Sequence, residues 1–306
     1  MDRVIITGVG GFIGGALAKK LLEQDVVVYG VDISLEVMQR FISYEKFIPI
    51  VADFATYEKL DESIIEGGDV FFHFALKGSF GPALKDYSLQ LYNADGACKA
   101  LEAAVRCKCK KFVLAGTANE YELKNYINMD YFEPRYTCVY STGKLAAEFI
   151  CKTLAYNNGI EYCGGLIAMA YGEGNKSTTS LPNVIIHQIL NKQEPKLITG
   201  NNLYDMVYIS EIVDSFIAIG QYGKNMKSYY IGHRKLKTFR EMMERIRNIL
   251  NPDILLHFGA YEDGPSGMDY SLIDIDALYN DTGFECKTDF KKSILKTAEW
   301  IKTMQF

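Results

Sequence analysis

The fold is decided by the stretch VIITGVGGFIG at residues 4–14. Its first three residues are apolar and predict a strand, and a stretch with apolar residues at helical spacing follows it. Between them, Gly8, Gly11 and Gly14 would let the backbone turn tightly, approach a ligand closely and pack the helix on the strand. The free amides and the positive dipole at the start of that helix favour phosphate. The stretch therefore predicts a strand–turn–helix unit that binds a pyrophosphate.

Asp32 ends the second predicted strand, 18 residues after Gly14. A carboxylate there can accept hydrogen bonds from both hydroxyls of an adenosine ribose, and it would repel a 2′-phosphate. The next two residues, Ile33 and Ser34, supply no cation for such a phosphate. The sequence therefore predicts NAD as the cofactor and disfavours NADP.

Short apolar runs alternate with amphipathic stretches in the first half of the chain, which predicts parallel strands and right-handed crossovers. The predicted strands lie at residues 4–6, 26–31, 70–74, 112–115, 164–170 and 205–209. The predicted helices lie at residues 14–22, 93–106, 144–156, 181–190, 211–219 and 239–250. The predicted fold class is α/β, a Rossmann-like doubly wound parallel sheet with a smaller mixed α/β substrate lobe. We expect residues 1–172 to form the NAD-binding Rossmann domain, with about 205–232 as candidates to return to it, and 173–306 to form most of the substrate lobe.

The composition excludes several classes of protein. Of the 306 residues, 48% are hydrophobic, and the formal net charge of −5 argues against nucleic-acid binding. No run approaches about 20 consecutive apolar residues, and the first residues lack the features of a signal peptide, so we expect a cytoplasmic protein without a membrane span. The seven cysteines suit reduced thiols, and Cys107 and Cys109 have no second pair at zinc spacing, so no metal site is predicted.

Tyr140 and Lys144 lie one turn apart on the same face of a predicted helix. An ammonium group beside a phenol favours the phenolate and lowers the pKa of the tyrosine. Such a tyrosine can take a proton from a substrate hydroxyl, or return one to a carbonyl, while a hydride moves to or from nicotinamide. Thr117 follows the strand at 112–115, at the sheet edge where ligands bind, and its hydroxyl can hold the same substrate oxygen. These three residues are the predicted catalytic set.

Together these features resemble the extended short-chain dehydrogenase/reductase superfamily, in particular its NAD-dependent epimerase/dehydratase family. The resemblance is strong from Val4 to about Gly174 and can be traced to the C-terminus. GVGGFIG resembles the family's G-x-x-G-x-x-G turn, Asp205 to Ile209 resembles its R-D-F-V-H-V strand, and Tyr140 and Lys144 match its catalytic pair. The resemblance implies an enzyme that binds NAD and a sugar or nucleotide sugar, and a homodimer formed through a four-helix interface.

The resemblance also assigns roles to the other matching positions. Asp53 matches the acidic residue beside the adenine, and His73 to Ala75 matches the strand end that lies along the cofactor. The predicted cofactor-binding residues are Gly8, Gly11, Phe12, Ile13, Gly14, Asp32, Ile33, Asp53, Phe54, Phe74, Ala75, Leu76, Asn93, Ala115, Tyr140, Lys144 and Ile167. The predicted substrate-binding residues are Lys77, Thr117, Ala118, Asn119, Tyr140, Met169, Lys176 and Tyr204.

The sequence departs from the family pattern beside the catalytic residues and in the substrate lobe. Ala118 and Asn119 stand where the family's 4,6-dehydratases carry an Asp-Glu pair, so we do not expect dehydration. Tyr204 replaces the arginine that binds diphosphate, Met169 replaces an asparagine, and a second arginine expected within residues 261–270 is absent. Each change removes a polar or charge-assisted contact to the substrate.

Two explanations of the missing arginines remain open. Lys176, Arg234 or Lys235 supplies the diphosphate contacts from another position, or the substrate carries no nucleotide diphosphate. His73 and His187 are interpreted as structural residues and not as acid–base groups.

The leading hypothesis is an NAD-dependent sugar oxidoreductase, with a nucleotide-sugar 4-epimerase as its main form. An NAD(P)H-dependent 4-keto-6-deoxy-sugar reductase is an alternative, because residues 255–260 and 270–272 resemble CDP-abequose synthase and related 4-ketosugar reductases. A dehydrogenase acting on a sugar without a nucleotide diphosphate is another. A catalytically idle NAD-binding sensor is disfavoured, because Thr117, Tyr140 and Lys144 are all intact.

Overall fold

The computed structural model describes residues 1–64, 67–78, 80–127, 129–135, 137–263 and 268–306. The strands are β1 (Arg3–Thr7), β2 (Val27–Asp32), β3 (Phe47–Val51), β4 (Val70–His73), β5 (Lys111–Thr117), β6 (Glu161–Ile167), β7 (Met169–Tyr171), β8 (Lys196–Leu197), β9 (Leu203–Tyr204), β10 (Met206–Tyr208), β11 (Lys227–Ile231), β12 (Lys237–Thr238) and β13 (His257–Phe258). The helices are α1 (Phe12–Glu23), α2 (Leu35–Met38), α3 (Leu60–Ser63), α4 (Tyr87–Arg106), α5 (Glu120–Tyr126), α6 (Cys138–Asn158), α7 (Leu181–Leu190), α8 (Ile209–Tyr222), α9 (Phe239–Leu250), α10 (Ala277–Thr282) and α11 (Phe290–Lys302). Single 3₁₀ turns lie at Gln39–Phe41, Tyr57–Lys59, Gly81–Lys85 and Tyr270–Leu272.

The centre of the molecule is a parallel sheet of seven strands in the order β11-β6-β5-β4-β1-β2-β3. The chain builds outward from β1 to β3 on one side and then returns to β4 on the other side of β1. The carboxyl ends of β1 and β4 therefore flank the point where the strand order reverses, which is where such sheets bind ligands. This sheet and its flanking helices confirm the predicted Rossmann-like α/β fold.

The core consists of two apolar layers, one on each face of the sheet. Val4 and Ile6 are fully buried in the layer that contains α1 and α8, and Ile5, also fully buried, faces α4 and α6. Side chains of a strand alternate between faces, and both faces of a parallel sheet are covered, so β1 is a continuous apolar run. The glycine turn that follows β1 is consequently anchored to the buried centre of the sheet.

The late strand β11 pairs with β6 and completes the central sheet. It lies within the segment 205–232 that the sequence marks as a candidate to return to the cofactor domain. Outside the central sheet, short pairs join β7 to β10, β9 to β12 and β8 to β13. The domain boundary at residue 172 stays a prediction.

The seven cysteines are free thiols in the structure. Burial raises the pKa of Cys107 to about 11 and that of Cys109 to about 12, so both thiols are neutral and chemically quiet. Within the described ranges, no group of three or more His, Cys, Asp or Glu side chains is placed to hold a metal ion. Over the same ranges, no helix has the length and apolar character needed to cross a membrane.

Candidate active site

The glycine turn lies at the carboxyl end of β1, where close backbone contacts leave no room for side chains. Gly8 has φ +70°, and a Cβ built there would lie 2.7 Å from the backbone nitrogen of Ala75. A Cβ on Gly14 would lie 2.4 Å from the carbonyl oxygen of Gly8. The N-cap of α1 is Gly11, which provides no side-chain cap, so the first amides of the helix remain available to a ligand. The turn therefore fits the pyrophosphate of a dinucleotide.

Asp32, at the end of β2, is tied to this turn. Its Oδ2 accepts a hydrogen bond from the Gly10 N–H at 2.8 Å, and its Oδ1 accepts one from the Ile33 N–H at 2.8 Å. Arg40 lies on the other side of the turn and donates to the carbonyl oxygens of Gly10 at 3.2 Å and Gly11 at 3.0 Å. Burial lowers the pKa of Arg40, and the charge of Asp32 opposes that shift.

Arg40 is a cation near Asp32 that the sequence analysis does not identify. Ile33 and Ser34 supply no cation, as stated, but a guanidinium reaches the neighbourhood of Asp32 from eight positions farther along the chain. No motif marks it, because it sits in a short 3₁₀ turn whose position depends on the packing of Phe41 in the core. Its bonds to the turn carbonyls indicate a role in holding the loop in shape.

The segment after β4 is positioned by buried polar residues. The Asn93 side chain accepts from the Lys77 N–H at 2.9 Å and donates to the Lys77 carbonyl at 2.9 Å, which fixes the loop through Phe74, Ala75 and Leu76. Only the backbone of Lys77 is held in this way. Its ammonium lies over the ring of Tyr92, at 4.9 Å from the centroid.

His73 is a structural histidine, as the sequence analysis interprets it. Its Nδ1 shares a hydrogen bond of 2.7 Å with the Thr7 hydroxyl, and the residue is buried. Burial, together with the charge of Lys144, lowers the pKa of His73 to about 3, so the ring is neutral. His187 lies elsewhere, with its ring stacked on Phe306 at a centroid distance of 4.0 Å.

The predicted adenine-side residues occupy the turn after β3. Asp53 closes this turn, with Oδ1 accepting from the Ala55 N–H at 3.0 Å. Phe54 is 4% exposed and packs against Tyr57, so its ring belongs to the core.

The catalytic candidates meet at the carboxyl end of β5. Thr117 is the last residue of that strand, and Tyr140 and Lys144 lie in the first turns of α6. The Thr117 side chain interacts with the Tyr140 phenol, and Lys144 Nζ donates to the Ala115 carbonyl at 2.8 Å. A hydroxyl, a phenol and an ammonium group therefore face one edge of the sheet, close to the glycine turn.

The electrostatics of Tyr140 differ from the expectation. Burial and then the negative charge of Glu120 raise the pKa of Tyr140, and the bond from Thr117 opposes them only in part. Burial lowers the pKa of Lys144 to about 8, with Glu120 acting in the opposite direction. The prediction of a lowered pKa for Tyr140 is wrong for this arrangement, because burial of the phenol and the charge of Glu120 raise it.

The remaining residues beside Thr117 close the floor of the cleft. Ile167, the last residue of β6, pairs with Thr117 in register, and its carbonyl accepts from the Ala118 N–H at 2.9 Å. The Asn119 N–H lies 3.4 Å from Thr117 Oγ1, and the Ala118 side chain is buried. Met169, two residues after Ile167, is half-buried in β7.

The substrate lobe contains a cavity of about 190 Å³ beside Tyr204. Its charged lining residues are the cationic Lys235, Lys237 and Arg245 and one carboxylate, that of Asp205, which is hydrogen-bonded to Tyr230 and His233. Among the residues that the structure describes, the buried Tyr204 hydroxyl has no hydrogen-bond partner. The position that carries an arginine in the family is therefore occupied by a phenol next to a basic cavity.

The other two cations proposed for a diphosphate are placed differently. Arg234 pairs with Asp276 and with Glu285, and its guanidinium lies over the ring of Tyr279 at 4.4 Å. Lys176 is exposed and does not line this cavity. Of the three candidates, Lys235 is the one that borders the cavity.

Comparison with known proteins agrees with this geometry. Residues 4–232 match the family described as the NAD dependent epimerase/dehydratase family. A solved structure of the UDP-N-acetylglucosamine 4-epimerase from Methanobrevibacter ruminantium, in complex with UDP-N-acetylmuramic acid, superposes with a TM-score of 0.81 at 22% identity, over 99% of this chain and 98% of that one. The uncharacterised UDP-glucose epimerase YtcB of Bacillus subtilis is 24% identical over 276 residues, 84% of each chain. The CDP-abequose synthase of Salmonella typhimurium is 21% identical over 309 residues, 96% of each chain.

The family match covers well over half of the chain and includes the glycine turn, Thr117, Tyr140 and Lys144. It confirms the predicted family and, at the level of that family, the predictions of an enzyme and of NAD as its cofactor. The chain belongs to the NAD dependent epimerase/dehydratase family.

Proposed function

We propose that the protein is an NAD-dependent sugar oxidoreductase whose main reaction is the 4-epimerisation of a nucleotide sugar. The observation that carries this proposal is the meeting of Thr117, Tyr140 and Lys144 at the edge of the sheet that also carries the glycine turn. Epimerisation needs one group that takes and returns a proton at a single oxygen and a second that holds that oxygen. It does not need the carboxylate pair that Ala118 and Asn119 replace.

In this proposal the glycine turn and the start of α1 hold the pyrophosphate of the cofactor, and Asp32 holds its adenosine ribose. NAD, when bound, supplies a hydride acceptor and donor and a positive charge on its oxidised ring. Tyr140 takes the proton from a sugar hydroxyl and later returns it to the same oxygen, while the Thr117 hydroxyl holds that oxygen. Lys144, a predicted cofactor-binding residue, would hold the cofactor beside these two side chains.

The substrate lobe, which we propose is built mostly from residues 173–306, would hold the nucleotide end of the substrate. The cavity beside Tyr204 supports an anionic ligand, because Lys235, Lys237 and Arg245 border it. Two lysines and one arginine can offset the charge of a diphosphate even without the family's two arginine forks. This arrangement favours the explanation that cations at other positions replace the missing arginines.

A second candidate function is the one-way reduction of a 4-keto sugar. The raised pKa of Tyr140 favours it, because a neutral phenol is a proton donor and carbonyl reduction consumes a proton. The similarity to CDP-abequose synthase along nearly the whole chain points the same way. Epimerisation leaves the cofactor unchanged, whereas reduction consumes NADH, so the two functions differ in a measurable quantity.

We also propose that the protein forms a homodimer through α4 and α6. These helices pack on each other, and their outer faces expose Leu91 at 57%, Phe149 at 57%, Ile150 at 47% and Tyr156 at 79%. An exposed apolar patch on two adjacent helices is typical of a protein interface. Light scattering should give twice the chain mass for the wild type and the single chain mass for Phe149→Glu.

The function is tested by incubating the purified protein with NAD and either UDP-glucose or UDP-N-acetylglucosamine and following the sugar protons by NMR. Conversion to the 4-epimer without accumulation of NADH supports the epimerase, and Tyr140→Phe should abolish it. No conversion by wild-type protein with bound cofactor would count against the epimerase. Consumption of NADH with a 4-keto-6-deoxy nucleotide sugar would instead establish the reductase.

A further inference from the structure

A buried carboxyl group lies directly behind the catalytic residues and has no part in the mechanism above. Glu120, the first residue of α5, is 0% exposed, and its Oε1 accepts a hydrogen bond of 2.7 Å from the Thr117 N–H. A Cβ on Gly116 would lie 2.6 Å from that oxygen, so the carboxyl group fits only because residue 116 is glycine. Glu120 therefore fixes the end of β5, where the Thr117 hydroxyl meets the Tyr140 phenol.

The neighbour of Glu120 is a second buried carboxyl group, that of Glu148, which is 2% exposed. Glu148 accepts hydrogen bonds from Lys152 at 2.7 Å, from Lys124 at 3.0 Å and from Ser228. Burial raises the pKa of Glu148, but these donors, Lys124 first, outweigh it and lower the pKa to about 2. Glu148 is therefore ionised at neutral pH.

Glu120 and Glu148 are both buried where α5 packs on α6, and both interact with Lys124. Two buried carboxyl groups placed so close can share a hydrogen bond only if one of them carries a proton. Within the described structure, Glu120 Oε2 is buried and receives no hydrogen bond from any donor group. A proton on Oε2 that points to Glu148 would satisfy this oxygen, and it would remove the repulsion between two buried negative charges. Burial and then the charge of Glu148 raise the pKa of Glu120 to about 8, in agreement with this geometry.

We propose that Glu120 is a positioning residue of the catalytic site, protonated at neutral pH, that donates its proton to Glu148 and holds Thr117 in place for the chemistry at Tyr140. The proposal rests on the proposed function, since it assigns the catalytic role to Thr117 and Tyr140. A neutral Glu120 keeps a negative charge away from the phenol, and an ionised Glu120 hinders formation of the phenolate.

The proton on Glu120 depends on the charges around the pair. The titratable groups that interact with Glu120 or Glu148 are Tyr140, Lys144 and Lys152 on α6, Tyr121 and Lys124 on α5 and Tyr162 on β6. Tyr140, Lys144, Glu148 and Lys152 recur at four-residue intervals and so form one stripe along α6. Lys124 on α5 and Lys152 on this stripe keep Glu148 ionised and leave the shared proton with Glu120.

The protonation state is tested without an activity assay by infrared difference spectroscopy of the wild type against Glu120→Gln. At pH 7 the difference should contain the carbonyl band of a protonated carboxyl group, and raising the pH to 10 should replace it with carboxylate bands. Carboxylate bands at pH 7 would overturn the proposal. This result stands whether or not the protein turns over any nucleotide sugar, so it separates failure of this inference from failure of the proposed function.

The positioning role is tested by the pH profile of kcat. The wild type should lose about tenfold in kcat between pH 7 and 9 as Glu120 ionises. Glu120→Gln should keep the rate at pH 7 to within about twofold, because an amide can accept from Thr117 and donate to Glu148. Its alkaline loss should be smaller than that of the wild type, because only Lys144, whose pKa is about 8, still titrates in this range. Glu120→Ala, which can do neither, should lose about tenfold in kcat at pH 7.

Two further variants complete the test. Glu148→Gln should move the loss of kcat to lower pH, because it removes the negative charge that keeps the proton on Glu120. The matched control is Glu122→Gln, since Glu122 is equally buried on α5 but is ion-paired with Arg135, and the alkaline loss should remain as in the wild type. Identical pH profiles for the wild type and Glu120→Gln would overturn the positioning role.

Discussion

Replacement of Gly8 by alanine tests whether the glycine turn is fixed by close backbone approach. A left-handed φ of +70° costs a residue with a Cβ about 1–2 kcal/mol. The new Cβ would also lie 2.7 Å from Ala75 N, 2.9 Å from Ala75 Cα and 2.9 Å from Phe74 C. Since these are backbone atoms of the strand end, relieving the overlap should cost about 1–3 kcal/mol more. Gly8→Ala should therefore lower the free energy of unfolding by about 2–5 kcal/mol.

The matched control is Gly159→Ala at the end of α6. Gly159 has a φ of +67°, and nothing lies within 4 Å of its added Cβ, so only the conformational cost of about 1–2 kcal/mol applies. Urea unfolding measures both variants, and calorimetric titration with NAD should show at least about a tenfold loss of affinity for Gly8→Ala alone. Equal destabilisation of the two variants, or unchanged NAD affinity in Gly8→Ala, would refute the reasoning.

Three further outcomes are expected. Tyr140→Phe should lower kcat about 10²–10⁴-fold with NAD affinity unchanged, whereas replacement of the exposed Tyr156 by Phe should leave kcat unchanged. Normal turnover by Tyr140→Phe would exclude the proposed acid–base role. Lys235→Met should raise the KM for a UDP-sugar about tenfold at constant kcat, and the control Lys296→Met, on the surface of α11, should leave the KM unchanged. Equal KM values for Lys235→Met and the wild type would place the diphosphate elsewhere. The free energy of unfolding of the wild type should fall as the pH falls from 6.5 towards 3, because His73 is protonated in the unfolded chain but not in the folded chain. Urea titrations of His73→Gln should show a smaller fall over the same pH range.

Most of the cofactor-binding part of the fold could be predicted from the sequence, because its features depend on residues that are close together along the chain. The glycine spacing, the apolar run before it and Asp32 are set by backbone geometry within one strand–turn–helix unit, and the structure brings them together at Gly8 and Gly10. The helices at 181–190 and 239–250 were also predicted with the observed bounds. Both are amphipathic, and the second has a capping box at Thr238 that marks its start.

The strands β3 and β11 were not predicted, since they lie at the two edges of the sheet. An edge strand is covered by fewer neighbours and so tolerates exposed and polar residues, such as Val51 at 54% exposure and the half-buried Lys227. Arg40 and Glu120 were missed for a different reason. Arg40 acts on a loop to which tertiary packing joins it, and Glu120 acts through its burial beside Glu148. Single residues of this kind leave no periodic signal. The direction of the Tyr140 pKa shift was predicted wrongly because sequence spacing shows that Lys144 is near but not that the phenol is buried and faces the charge of Glu120.

The pairing of β11 with β6 bears on how the protein is made. About sixty residues separate the two strands. During synthesis, β6 is therefore an unpaired edge strand until residue 231 has left the ribosome. A fragment that stops near residue 172 would keep that edge open and offer it to other chains. The N-terminal half therefore contains the cofactor turn and the catalytic residues, yet we expect it to aggregate when it is expressed without the rest of the chain.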